Sequence, residues 1–210
     1  MSENRVREEI ARFGQSLFMR GYGCGSSGNI SVRLEDGYLV TPTNSSLGSL
    51  DPTRISKLDP DGRHVSGDPP SKEGFLHLSV YRARAADRAV VHLHSTHAVA
   101  VSCLDGLDPE DVLPPITAYY VMRVGRLPLL PYFRPGDRAL AEAVGKQAQT
   151  HHAMLLSNHG PVISGKALDA AVYAAEELEE TAKLYLMLKD RPYRCLNEAQ
   201  LAELTEAFPS

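Results

Sequence analysis

Short apolar runs alternate with stretches of helical spacing along this chain, which restricts it to a layered fold with helices packed on a sheet. The strand candidates are brief. Ile30, Val32 and Leu34 alternate with polar residues, Tyr38 to Thr41 follow an Asp36-Gly37 turn, and AVVHLH forms a compact apolar run ending at His94. Val121 to Val124 and Leu127 to Leu130 add two more, and AMLLSNHGPVIS reads as strand, tight turn and strand. Helical patterns lie between them. Val6, Ile10, Phe13 and Leu17 mark a first amphipathic helix closed by Gly21, and a second begins at about Ser71 with Phe75, Leu78 and Tyr81 near helical spacing. STHAVAVSCL looks helical, and Asp137 caps a helix running through Val144. A long helix from about Leu168 to Leu188 carries Val172, Ala175, Leu178, Ala182 and Tyr185 on one face, and Asn197 with Gln200 caps a short final helix. No repeat or linker breaks the pattern, so residues 1–210 read as one α/β or α+β domain.

The 210 residues are 43% hydrophobic and 23% charged, which suits a single core and leaves little room for two. A net charge of −4 argues against a nucleic-acid binder that works through a broad basic face. An anionic ligand must meet locally placed donors instead. Cys24, Cys103 and Cys195 are odd in number, far apart and never paired as C-x-x-C, so neither a disulfide framework nor a thiolate zinc knuckle is indicated. A reducing, cytoplasmic setting is expected. MSENRVREEIARF lacks the apolar segment of a secretory signal, and the most apolar stretches are too short for a bilayer, so no membrane partner is expected.

His92 and His94 lie two apart in a strand candidate, so their side chains leave one face with Cα atoms roughly 6.6 Å apart. That is close enough to share a metal. The same pattern also fits one hydrogen-bonded core histidine beside one surface histidine. His159 shifts the balance, because SNHG sets a third imidazole in a tight turn where Gly160 lets the backbone bend sharply. Three neutral nitrogens with an open position describe a catalytic divalent site, zinc first. Glu73 falls in the first turn of the helix expected from Ser71, where the dipole favours a carboxylate; an ordinary helix-start acid, a fourth ligand and a proton donor all fit. Ser26, Ser27, Asn29, Thr43, Asn44, Ser45, Ser71 and Lys72 cluster hydroxyls, amides and one ammonium in polar loops, which suits a phosphate or simply turns that satisfy their own backbone.

Taken in order, GNIS at 28–31, TPTN at 41–44, SKE at 71–73, HLH at 92–94 and NHG at 158–160 resemble the class II aldolase family typified by fuculose-phosphate aldolase and ribulose-phosphate epimerase. The likeness spans residues 3 to about 190. It implies a three-layer α/β/α domain around a mostly antiparallel sheet, assembled as a homotetramer with active sites between subunits. It also implies that His92, His94 and His159 hold Zn2+, with Mn2+ or Co2+ as alternatives, and that Glu73 is the acid/base carboxylate and an additional ligand in the empty site. Asn29, Thr43 and Ser71 match phosphate-holding positions. The aldolase has Gly where Asn44 stands and Ser where Lys72 stands. Tyr119 or Tyr120 would reach a neighbouring subunit's site, and His97 has no ligand role.

RGYGCGSSGNIS, SGDPPSKE, VVHLHSTH, SCLDGLD and VMRVGRLPLLPYFRPGD resemble most the branch of the family that decarboxylates 3-oxo-tetronate 4-phosphates. That likeness implies a carboxy-lyase whose substrate, a phosphorylated four-carbon oxo acid, loses CO2 to give dihydroxyacetone phosphate through a zinc-stabilised enediolate. Aldol cleavage passes through the same enediolate, so a sugar-phosphate aldolase or 4-epimerase is the nearest alternative. An adducin-like scaffold without a working metal site is the non-enzymatic one.

Overall fold

The computed structural model describes residues 2–134 and 136–208. Helix α1 (Glu3–Met19) buries Val6, Ile10, Phe13 and Leu17 and ends where Gly21 adopts φ +81, with Gly21 and Tyr22 N–H groups closing onto Phe18 and Leu17 carbonyls. Strands β1 (Asn29–Arg33) and β2 (Tyr38–Val40) form the hairpin expected at Asp36-Gly37. Two short helical turns precede β3 (Ser56–Leu58) and β4 (His64–Ser66), joined through Asp61-Gly62. After helix α2 (Gly74–Ala83) come β5 (Ala89–His92), α3 (Thr96–Ser102), α4 (Ala118–Arg123), β6 (Leu129–Leu130) and α5 (Arg138–Gln147). Strands β7 (Ala153–Leu156) and β8 (Gly160–Gly165), then α6 (Leu168–Leu188) and α7 (Glu198–Ala207), complete the chain.

Among the described residues, eight strands join one sheet in the order β4-β3-β2-β1-β5-β8-β7-β6, and every pairing is antiparallel except β6 with β7. Pleating sends alternate residues to opposite faces. Ala89, Val91 and Leu93 enter a core shared with α1, α3, α4 and α6, while Val90 enters a second core with Leu76 and Val80 of α2 and Leu140 and Val144 of α5. This is the three-layer arrangement expected.

Several assignments differ from the pattern of the sequence, and β6 covers only the end of the Leu127–Leu130 candidate. Val121 to Val124 does not form a strand: Thr117 accepts the Tyr120 N–H as an N-cap, and Tyr120 and Val124 pack into the first core, so a helix forms despite the β-branched residues. The second helix starts at Gly74 rather than Ser71. Residues 71–73 are held out of the helix because the Ser71 N–H bonds the Thr41 carbonyl beside an isolated Pro42–Pro70 bridge. β5 likewise stops at His92, so only one of the paired histidines lies within the ladder.

Candidate metal centre

One end of the sheet gathers the chemically active side chains. Asn29 opens β1 and lies opposite His92, the last residue of β5, while His92 in turn pairs with Val162 of β8. His92 shares a face with Val90 and points toward α2, whose N-cap residue is Glu73. His159 ends the β7–β8 turn. Asn158 before it takes φ +55, and a Cβ on Gly160 after it would stand 2.2 Å from the Leu93 carbonyl oxygen, so only glycine lets β8 approach β5 here.

The Nε2 atoms of His94 and His159 lie 3.1 and 3.3 Å from the His92 Nε2. Glu73 Oε1 is 3.2 Å from the His159 Nε2, and all four residues offer a ligand atom within 4.8 Å of one another. A tetrahedral ion with metal–nitrogen bonds of 2.0–2.1 Å separates its ligands by roughly 3.4 Å, so the donor set fits. The tautomer of His92 fits too: its Nδ1–H donates to the Pro161 carbonyl at 2.8 Å, leaving Nε2 with a bare lone pair aimed at the cluster. Burial pushes the His92 pKa down, and burial with the neighbouring imidazoles pushes that of His94 down to about 4, so both are neutral at pH 7. For Glu73, burial would raise the pKa, but His159, His92 and Asn29 together outweigh it and hold the carboxylate well below its ordinary range. One ionised oxygen donor and three imidazoles can therefore hold a divalent metal.

Residues 8–186 match the family model described as the class II aldolase and adducin N-terminal domain. This chain belongs to that family. The 3-oxo-tetronate 4-phosphate decarboxylase of Escherichia coli K12 is 52% identical over 96% of each chain. L-fuculose phosphate aldolase of the same strain is 32% identical over 99% of this chain and 96% of the aldolase. Among solved structures, YgbL of Escherichia coli superposes with a TM-score of 0.94 at 51% identity, covering 96% of this chain and 98% of that one.

In this class II aldolase fold the loop at 41–43 is tied to that at 69–71 by the Thr43 N–H to the Pro69 carbonyl and the Ser71 N–H to the Thr41 carbonyl. Thr43, Ser71 and Lys72 thereby sit on adjoining loops next to Glu73, and Asn29 joins them by donating Nδ2–H to Glu73 Oε2 at 2.8 Å. Asn44 takes φ +55. Asparagine tolerates that left-handed conformation. Glu73 does not work as a helix-start acid: it makes no capping bond, and its carboxylate turns to Asn29 and the imidazoles. Of the tyrosine pair, Tyr119 is 61% exposed, whereas Tyr120 is 2% exposed in the core of its own chain and cannot reach a neighbour. His97 lies in α3 and bonds Glu179, away from the metal donors.

A cavity of about 560 Å³ opens beside His94 and His159, walled by Val99, Tyr132 and Phe133. Neither that wall nor His77 stands out among the candidate residues of the sequence. The imidazole of His77 is fully buried and bonded to Asn29 and Ser31. Its place four residues after Glu73, one helical turn along, is the signal that could have found it.

Proposed function

We propose that this protein decarboxylates 3-oxo-tetronate 4-phosphate to dihydroxyacetone phosphate and CO2. One observation carries the reading: an ionised carboxylate and three converging imidazoles meet beside a cavity in a chain half identical to a decarboxylase of that substrate. Glu73, His92, His94 and His159 would hold the ion, and zinc is the assignment that three imidazoles favour, ahead of Mn2+ and Co2+. When bound, the ion supplies Lewis-acid stabilisation to the negative charge that carbon–carbon cleavage leaves behind.

Asn29, Thr43, Asn44, Ser71 and Lys72 hold the substrate phosphate, with Lys72 supplying the single positive charge in the group. Holding the phosphate there directs the oxo acid toward the cavity beside His94. The C1–C2 bond breaks, its electron pair stays on C2 and delocalises into the C3 carbonyl, and CO2 leaves. A proton from solvent replaces the lost carboxylate at C2, the hydroxide left behind combining with the released CO2 as bicarbonate, and Glu73, ionised at rest, relays that proton to C2. Tyr119 completes the site from a neighbouring subunit of a homotetramer. The test is direct assay: the oxo acid phosphate yields CO2 and dihydroxyacetone phosphate, while fuculose and ribulose phosphates are untouched. Cleavage of a sugar phosphate with no CO2 from the acid would replace this reading with an aldolase or epimerase. A protein purified without chelators that neither contains nor takes up a divalent metal would replace it with an adducin-like scaffold.

A further inference from the structure

A carboxylate can only accept hydrogen bonds, so the 2.8 Å contact between Asn29 and Glu73 Oε2 fixes the Asn29 amide with its NH2 toward Glu73 and its Oδ1 turned away. Asn29 Oδ1 then faces His77 Nε2, which must carry the proton. That leaves His77 Nδ1 bare. It accepts the Ser31 hydroxyl at 2.7 Å, and Ser31 Oγ in turn accepts the Tyr81 hydroxyl at 2.8 Å. Four hydrogen bonds thus run in one direction, Tyr81 to Ser31 to His77 to Asn29 to Glu73, and aligned bonds of this kind polarise one another in a low-dielectric interior. His77 and Ser31 are wholly buried, and Asn29 and Tyr81 nearly so, which shields the chain from water. Burial holds the His77 pKa down at about 3, so the ring stays neutral and keeps one donor and one acceptor.

From this geometry we propose that His77 is a positioning residue for Glu73: its Nε2–H locks the Asn29 amide in the orientation that presents N–H, not C=O, to the carboxylate. A flipped amide would set two oxygen lone pairs against each other at the proton-transfer group. The catalytic part of the claim rests on the decarboxylase reading; the tautomer and the amide orientation do not.

Two experiments separate those parts. Long-range 15N–1H correlation on labelled, unaltered protein reports the tautomer, and a protonated Nε2 with a bare Nδ1 is the expected result. The opposite tautomer, or a doubly protonated ring at pH 7, overturns the proposal even if the enzyme proves to be a decarboxylase. In turnover of the oxo acid phosphate, His77→Leu lowers kcat about 10- to 100-fold, the scale on which outer-shell partners of a metal site act. His77→Gln, which keeps an N–H that can reach Asn29, restores most of that loss. In a Glu73→Gln background His77→Leu costs less than about threefold, because the residue acts through Glu73. An equal loss in both backgrounds marks a purely structural role and overturns the proposal. If His77→Leu fails to fold, the tautomer measurement still decides. If the unaltered protein releases no CO2, the functional reading fails while the tautomer result stands.

Discussion

At the scale of single residues, the four candidate metal donors are expected to divide into two jobs. His94→Ala removes a ligand that nothing nearby replaces, so turnover and divalent-metal uptake are both expected to disappear, as read by metal analysis of the purified variant. Glu73→Gln keeps the three imidazoles that converge within 3.3 Å of His92 and is expected to lower turnover far more than metal content. Equal metal loss in the two variants contradicts that division. Burial also gives the histidines a pH signature. His77, His92, His94 and His152 all have pKa values pushed below 6.5, chiefly by burial. Between pH 6.5 and about 4 the unfolded chain therefore binds more protons than the folded one, and stability falls as pH falls. Glu73, whose pKa is depressed, contributes stability above its unfolded value and loses it only at lower pH, so it does not offset the trend in this window. For His77 alone the loss from pH 6.5 to 5 is roughly 2 kcal/mol. The urea midpoint of metal-free protein should drop between pH 7.5 and 5, and an unchanged midpoint would contradict the buried, neutral assignment.

At the scale of elements, short helices depend on partners from elsewhere in the chain. Helix α3 follows directly on the metal-ligand segment and has no capping bond from its own N-cap, Ser95. The cap comes from α6 instead: Glu179, 5% exposed, accepts the N–H groups of His97 and Ala98 at 2.9 and 2.8 Å and the His97 ring at 2.8 Å. Charge-assisted bonds to a buried carboxylate are worth about 1.5–3 kcal/mol each. Glu179→Leu is therefore expected to destabilise the fold by about 3 kcal/mol or more in denaturant titration, and a loss below 1 kcal/mol would show that α3 holds without it. Local signals were enough where a cap lies next to its helix, as with Asp137 at α5 and the Asn197–Gln200 box at α7. They failed at α4, where packing of Tyr120 and Val124 overrode strand propensity, and at Ser71, which a neighbouring loop holds out of the helix.

At the scale of the whole molecule, the proposed assembly makes a site from two chains. Sedimentation should give about four times 22.9 kDa. If Tyr119 serves a neighbour's Glu73, an equal mixture of Glu73→Gln and Tyr119→Ala subunits, refolded together, regains activity at about a quarter of its sites, since symmetric assembly deals the variants at random. No recovery on mixing would place each site within one chain. The sequence by itself determined most of the periodic elements, a layered mix of helices and strands, and His92, His94, His159 and Glu73 as candidate metal donors. Those follow from local spacing and from imidazole and carboxylate side chains able to ligate a divalent metal. Only the tertiary structure decided that the three imidazole nitrogens converge, that Glu73 turns from its helix toward them, that Tyr120 faces inward, and that buried His77 stands behind Asn29. These are distances between residues far apart in the chain, set by strand order and register, and local periodicity contains no information about either.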